Sequence, residues 1–236
     1  MSIKLIMPMA GTGTRFVEAG YTEPKPLIKI KGVPMFQYAE TQIGINFDER
    51  IFIVRKDHNI ADTIKSLYPT ATTTVIELDE DTEGTACTLL KAKSLFTEDD
   101  SVFVANCDQS VVWDRKLAKQ IVKSVADGAI ATFINDEKDP KWSFAKEVNG
   151  IITEVAEKNP ISNKATVGYY WWRDATQMFR NIEQMIKAND RVNGEFYTCP
   201  VFNYTIKEGS TIFDIPVMTM KGLGTPEDLE SYLNEN

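Results

Sequence analysis

Arg15 and Lys25 are the first side chains in this chain whose types and setting could do chemistry. Arg15 is the next-to-last residue of the run PMAGTGTRF at residues 8–16, and Lys25 sits in EPKPLIKIKGVPMF at residues 23–36. A hydrophobic strand, Ile3 to Met7, runs straight into the glycines of that first segment. Gly11 and Gly13 allow a tight curl and, lacking a β-carbon, let backbone N–H groups approach a polyphosphate. Arg15 offers a planar fork of donors suited to the β and γ phosphates, and Lys25 a mobile point charge for the α phosphate. Pro24 and Pro26 fix the backbone on either side of the lysine. The plainer reading, a tight strand-to-loop turn, accounts for the glycines but not for the cation pair. GTGTR lacks the GK[ST] ending of a Walker loop, and no acid some twenty residues on completes a dinucleotide fingerprint. Enzymatic chemistry on a nucleoside triphosphate is the leading expectation.

Asp108 follows the apolar run Ser101 to Ala105, which places it at the carboxyl end of a strand, where open α/β sheets bind ligands. A carboxylate there can hold Mg²⁺ against phosphate oxygens, or it can simply be a turn aspartate. Glu83-Gly84-Thr85-Ala86 precedes a helical pattern and reads either as a ligand loop or as a turn and cap. Glu157 and Lys158 stand before Pro160 and are, on spacing alone, equally well surface charges. Tyr169, Tyr170, Trp171 and Trp172 follow one another on a strand pattern, so alternation sends two rings to each face. One pair is expected in the core, and the other in the core or along a pocket, where it could stack on a sugar or cage a quaternary ammonium. His58 is the sole histidine, which excludes histidine-rich metal sites. Cys87, Cys107 and Cys199 form no CxxC pair and no even disulfide set. Cys107 is expected to be buried rather than nucleophilic.

The elements that must position these groups alternate between β-rich and helical patterns, as expected of an open, mostly parallel, Rossmann-like α/β sheet. Strands are predicted at Ile3 to Met7, Arg50 to Val54, Thr73 to Leu78, Ser101 to Ala105 and Ala129 to Ile134. Helices are predicted at Pro34 to Ile43, Ile60 to Leu67, Thr85 to Lys93 and Arg115 to Ala126, with Asp114 capping the last. Beyond Trp142 the pattern turns antiparallel: Phe144 to Val148, a turn at Asn149-Gly150, and Ile151 to Val155. A strand at Ala165 to Trp172 and helices at Ala175 to Ala188 and Glu227 to Leu233 complete the reading. Residues 1–236 are expected to form a single domain, with a nucleotide-binding half at 1–135 and a small antiparallel acceptor-binding half at 136–236.

The ordered landmarks GxGxRF, PKPL, G-x-P-M, EGTA, NCD, EK before VGYY, and GTPEDLESY span nearly the whole chain. Together they resemble the nucleotidyltransferases that make sugar nucleotides. The resemblance implies a nucleotide-diphospho-sugar transferase fold, Mg²⁺ as cofactor, and transfer of a nucleotidyl group to a small phosphorylated acceptor with release of pyrophosphate. It implies catalytic roles for Arg15, Lys25 and Asp108, and nucleotide contacts from Met9, Ala10, Gly11, Gly13, Thr14, Glu83, Gly84, Thr85 and Asn106. Acceptor contacts would come from Glu157, Lys158, Gly168, Tyr170 and Trp172, and the first metal ligand would be Asp108. That family's second metal carboxylate stands in D-x-G-T-P, whereas this chain has Gly222-Leu223-Gly224-Thr225-Pro226. Glu195, Asp214, or phosphate with waters would then complete the shell; Glu195 is favoured, set against its reading as a first-turn acid ahead of a helix over residues 196–202. Members that resemble this chain in the PMAGxGxRF opening and the missing C-terminal aspartate include capsule-pathway enzymes, some of them cytidylyltransferases, so the resemblance implies a pyrimidine nucleotide and a sugar 1-phosphate, polyol phosphate or phosphocholine-like acceptor. A glycosyltransferase of the same fold is one alternative, though NCDQ is not the D-x-D motif such enzymes carry and Arg15 with Lys25 favours a triphosphate; a non-catalytic nucleotide sensor is the other.

Composition bounds the partners. The 236 residues carry a net charge of −8, with a sequence pI near 4.9, which argues against a nucleic-acid partner that needs a broad basic face. No apolar run is long enough to span a bilayer and no leader pattern opens the chain, so a cytoplasmic protein without membrane contact is expected. A homo-oligomer is compatible with everything above.

Overall fold

Residues 2–235 are described by a computed structural model. In chain order the first elements are β1 (Ser2–Met9), α1 (Thr14–Glu18), β2 (Lys29–Ile30), β3 (Val33–Pro34), α2 (Met35–Ile43), β4 (Glu49–Arg55), α3 (Ala61–Leu67) and β5 (Thr73–Leu78). Next come α4 (Thr85–Leu90), β6 (Asp100–Ala105), β7 (Gln109–Trp113), α5 (Arg115–Ile121), β8 (Gly128–Ile134), β9 (Ser143–Val148) and β10 (Ile151–Glu157). The last are β11 (Lys164–Trp172), α6 (Ala175–Lys187), α7 (Val201–Lys207), β12 (Ile212–Gly222) and α8 (Pro226–Glu235).

One large sheet runs in the order β5-β4-β1-β6-β11-β8-β12-β10-β9, with β7 pairing on β12 and β2 with β3 forming a separate ribbon. Its first four strands are parallel. From β11 onward the pairing is antiparallel except for β8 with β12, so the sheet is mixed rather than mostly parallel. The cause lies in β11, which enters beside β6 from the opposite direction and joins the parallel half to the hairpin-rich half.

Alternation along the strands feeds two cores, one on each face. Leu5, Met7, Phe52 and Phe103 pack with Phe36 and Ile43 of α2 on one side. Ile6, Ile53 and Val104 pack with Leu89 of α4 and Met178, Phe179, Ile182 and Met185 of α6 on the other. The α6 set follows helical spacing, and its Asp174 cap accepts from the Thr176 N–H at 2.8 Å. A smaller third core joins Phe16, Ile28, Ile30 and Met35 to Leu223, Leu229 and Tyr232. It fastens the segment bearing Lys25 to the C-terminal helix, two parts of the chain that the sequence places at opposite ends.

The aromatic quartet obeys its predicted alternation, and all four rings are buried, with Tyr170 also bordering a cavity. Tyr169 and Trp171 belong to one face, Tyr170 and Trp172 to the other. Trp172 is fully buried and stacks on Phe202 with ring centroids 3.9 Å apart, its indole N–H donating to Thr205 Oγ1 at 3.1 Å. Burial of one such side chain stabilises by roughly 1.5–3 kcal/mol.

Local differences have local reasons. The predicted Asn149-Gly150 turn forms with both residues at positive φ, 52° and 81°, as a two-residue hairpin requires. Asp114 caps α5 through the Lys116 and Leu117 N–H groups at 2.8 and 3.1 Å, but α5 ends at Ile121 rather than 126. There Ser124 turns back onto the Ile121 carbonyl through both its N–H and its hydroxyl, at 3.0 and 2.7 Å. The helix expected from Thr85 to Lys93 stops at Leu90 and resumes as a 3-10 turn over Lys93–Leu95.

Candidate active site

Two adjoining cavities open at the carboxyl ends of β1 and β6. The first, about 520 Å³, is walled by the loop after β1, including Met9, Gly11, Gly13 and Thr14, and by Lys25. The second, about 320 Å³, is walled by β10 and β11 residues, including Glu157, Gly168 and Tyr170, together with Lys158 just after β10, Trp142 and Asp228. Arg15, Thr85, Asn106, Asp108, Tyr197 and Gly224 face both. The junction between the cavities therefore holds the residues that a group passing from one to the other would meet.

Gly13 takes φ 67°, and a β-carbon there would stand 3.2 Å from the Lys25 Cβ, so this glycine lets the loop close on the lysine. Gly11 has open space around it and needs no left-handed backbone; its value is a bare, exposed main chain facing the cavity. Lys25 begins the 3-10 turn Lys25–Leu27, with Pro26 buried beneath it. Its ammonium reaches Asp108 Oδ2 at 2.5 Å across the floor of the first cavity, the two side chains being 17% and 27% exposed.

Burial pushes the Lys25 ammonium down, but the Asp108 charge and hydrogen bond outweigh it and leave its pKa above the ordinary value. Burial likewise pushes Asp108 up, and Lys25 with Arg15 overcomes it, holding the carboxyl below the usual range. Both groups are charged through neutral pH. Beside them, burial pushes the Cys107 thiol up to about 12, which leaves it protonated and without nucleophilic character, as expected. The loop that follows β12 presses onto Asp108 because residue 224 is glycine: a β-carbon there would lie 2.9 Å from Asp108 Oδ2. The Leu223 N–H, donating to the Asp108 carbonyl at 2.8 Å, fixes that approach.

Asn106 and Gly168 form the rim between the cavities. Gly168 sits at φ 78° where β11 bulges, and a β-carbon would strike Asn106 Nδ2 at 2.2 Å. The Asn106 N–H donates to the Gly168 carbonyl at 3.1 Å.

In the second cavity Glu157 is 9% exposed and accepts from the Ser143 hydroxyl. Burial raises its pKa, with Ser143 and Lys158 opposing and Glu195 assisting. Lys158 holds a left-handed φ of 53° and donates to the Tyr197 hydroxyl at 2.6 Å.

Other expected site residues lie elsewhere. Trp172 is sealed in the core and does not reach the acceptor-side wall, because its strand position points at Phe202. Gly84 makes room for backbone rather than for a ligand: a β-carbon would lie 2.4 Å from the Phe196 carbonyl oxygen. Glu83 is exposed and paired with Arg191, and Ala10 packs against the α4-side core. Of the EGTA segment, Thr85 alone stands on both walls, its hydroxyl accepting from the Thr198 N–H at 3.1 Å. Glu195 accepts from the Tyr197 hydroxyl and lies off both walls, a placement unsuited to sharing a metal with Asp108. It is also outside any helix, since α7 begins only at Val201. Asp214 accepts from Thr132 Oγ1 at 2.6 Å and pairs with Lys164 within the sheet, away from the cavities.

Among the described residues no group of three or more His, Cys, Asp or Glu side chains converges as a metal cage. Asp108 still fits Mg²⁺: it is a hard oxygen donor on a cavity wall, and Mg²⁺ needs only one or two protein carboxylates beside water and phosphate. Reasoning from sequence missed Tyr197, Trp142, Gln109 and Asp228, whose positions depend on tertiary contacts. One signal was available for Tyr197: Asn193-Gly194, ending three positions before it, marks a tight turn, and both residues take positive φ.

Residues 4–216 match the family model described as nucleotidyl transferase. Among solved structures, the nucleoside-diphosphate-sugar pyrophosphorylase from Vibrio cholerae RC9 superposes with TM-score 0.85 at 25% identity, covering 98% of this chain and 99% of that one. The inositol-1-phosphate CTP transferase from T. maritima gives TM-score 0.77 at 14% identity over 98% of this chain and 93% of that one. The UDP-glucose pyrophosphorylase from Acinetobacter baumanii gives 0.78 at 15% identity over 100% and 93%. The last two likenesses speak for the fold.

Proposed function

Since the chain belongs to the nucleotidyl transferase family, we propose that it moves a nucleotidyl group from a nucleoside triphosphate in the first cavity to a small phosphorylated acceptor in the second. The single observation that carries this is the shared wall: Arg15 and Asp108 stand where the two cavities join, and Lys25 pairs with Asp108 from the first cavity.

In this reading an oxygen of the acceptor phosphate attacks the α-phosphorus in line, the bond to the bridging oxygen breaks, and pyrophosphate departs with that electron pair. A phosphate monoester is nucleophilic near neutral pH, so no strong base is needed, and rate comes from alignment and charge stabilisation. Lys25 leaves Asp108 to follow the α-phosphate, and Arg15 holds the leaving phosphates. Met9, Gly11, Gly13, Thr14, Thr85 and Asn106 line the triphosphate side, while Glu157, Lys158, Gly168 and Tyr170 receive the acceptor. Asp108 would hold Mg²⁺, which when bound neutralises charge on the phosphate oxygens. The division into a nucleotide half at 1–135 and an acceptor half at 136–236 belongs to the same proposal, with Arg15, Asp108 and Gly224 reaching across it.

A pyrimidine nucleotide is the favoured donor. Support comes from the CTP and UDP-glucose enzymes among the structural neighbours and from the resemblance of the PMAGTGTRF opening to capsule-pathway members, which also suggests a surface-polysaccharide precursor as product. The decisive experiment crosses CTP, UTP, dTTP, GTP and ATP with sugar 1-phosphates, polyol phosphates and phosphocholine in Mg²⁺ and follows pyrophosphate. Acceptor-dependent release is expected for one pair, and triphosphate binding without release for any acceptor would turn the reading towards a sensor. Lys25→Ala and Asp108→Asn are each expected to lower kcat/KM about 10²–10³-fold while circular dichroism stays native. Activity near wild type in both would remove these residues from the site.

A further inference from the structure

Tyr197 has no role in the reading above, yet it is the side chain on which the two cavities and the acceptor lysine converge. It faces both cavities, whereas Lys158 faces only the second. Its hydroxyl oxygen receives the Lys158 ammonium at 2.6 Å, and its hydroxyl hydrogen is given to the Glu195 carboxylate. The polarity of that chain is fixed: an ammonium only donates and a carboxylate only accepts, so the phenol must do one of each.

Both ends of the chain are held. Lys158 sits at φ 53°, an uncommon backbone for a non-glycine residue, and its N–H is tied to the Trp142 carbonyl at 3.1 Å. Val192 and Glu195 exchange backbone hydrogen bonds of 3.0 Å around the turn Asn193-Gly194. Arg191 donates to the Gly194 carbonyl at 2.9 Å, with its guanidinium 3.9 Å from the Phe196 ring centroid. A strained lysine, a braced carboxylate and a phenol between them form a built arrangement.

A free lysine stem carries about 2 kcal/mol of rotamer entropy. Fixing it before the ligand arrives removes much of that cost from binding. We infer that Tyr197 is a positioning residue, oriented by Glu195, that holds the Lys158 ammonium where the acceptor's phosphate meets the nucleotide. The inference rests on the two-cavity reading, and it gives Glu195 a task other than the metal binding expected of it.

Tyr197→Phe keeps the ring and removes the hydroxyl. It is expected to raise the acceptor KM by about tenfold to a hundredfold, the loss of one hydrogen bond to a charged group, while the triphosphate KM moves by less than about twofold. In a Lys158→Ala background the same change is expected to cost less than about twofold more, because Tyr197 acts through Lys158. Glu195→Gln, which still accepts the phenolic hydrogen, is expected to stay within about threefold of wild type and Glu195→Ala to fall short of it. Equal losses with and without Lys158, or equal rises in both KM values, would overturn the inference.

A substrate-free readout accompanies the kinetics. With the lysines carrying ¹³C-methyl labels and the Lys158 signal assigned by Lys158→Arg, the Lys158 methyl signal is expected to show restricted motion in the wild type and averaged motion in Tyr197→Phe. Unchanged mobility would overturn the inference even if turnover is never seen. Failure of every acceptor in the wild type would instead count against the transferase reading, leaving the mobility measurement to decide the role of Tyr197.

Discussion

Glu157 is a carboxylate kept at a cost. Its burial raises its pKa above the ordinary glutamate value, so the folded protein binds its proton more tightly than the unfolded chain does. That penalty is absent well below the ordinary range and grows in as pH rises through the folded value. Glu157→Gln is therefore expected to melt higher than wild type at about pH 7, with the gap closing by about pH 4, as calorimetry at the two pH values would show. The same substitution is expected to weaken the acceptor, and wild-type acceptor KM should rise on acidification at a higher pH than an unperturbed glutamate would give. A lower melting temperature at neutral pH would mean that the Ser143 bond outweighs the burial. At this scale the short local motifs around Arg15, Lys25 and Asp108 pointed to residues that the fold brings to one cavity. Trp172 was misjudged because alternation fixes the face of a strand on which a ring lies, not whether that face ends in a cavity or in Phe202. Gln109 was unreadable because tertiary packing alone brings it to the wall, and for Tyr197 the Asn193-Gly194 turn marked only a nearby bend in the chain.

Among the elements, β11 bears directly on the site through its bulge. Gly168→Ala places a methyl at φ 78° and 2.2 Å from Asn106 Nδ2, so either the strand or Asn106 must move. The expected cost is about 1–3 kcal/mol of stability by denaturant titration, with a larger loss in kcat than the remaining folded fraction explains. Full activity in a destabilised protein would show that Asn106 yields without consequence. Hairpin chemistry at Asn149-Gly150 and the Asp114 cap could be read directly, since each depends on a few adjacent residues. Strand β12 went unread for a physical reason: Pro216 interrupts its pattern. That proline stands at the point where β12 leaves its pairing with β8 and takes up β7 from Val217 onward, so the strand changes partners along its length.

For the molecule as a whole, acid stability has an identifiable anchor at Asp100. Burial pushes this carboxyl up, but bonds from the Ser2 hydroxyl, the Thr97 N–H at 2.9 Å and Lys4 at 3.0 Å bring it down to about 2. Its contribution is complete above the ordinary aspartate value and is lost as pH falls towards that lower one. Asp100→Asn is expected to lose about 1 kcal/mol less stability than wild type between about pH 5 and pH 2, after allowance for solvent screening, in paired urea titrations. Equal losses would place the acid-sensitive contacts elsewhere. The parallel first half of the sheet was foreseeable from alternating β and α patterns, while the direction of β11 was not, because nothing local to a strand states which neighbour it will join. That strand also poses a proofreading problem during folding. Slipping β11 by one residue would swap its faces, yet each face would still receive one tyrosine and one tryptophan, so greasiness cannot tell right from wrong. Gly168 can: only in native alignment does the one residue without a side chain arrive opposite Asn106. The same atom-sized gap that shapes the rim of the site thus serves the growing sheet as its alignment mark.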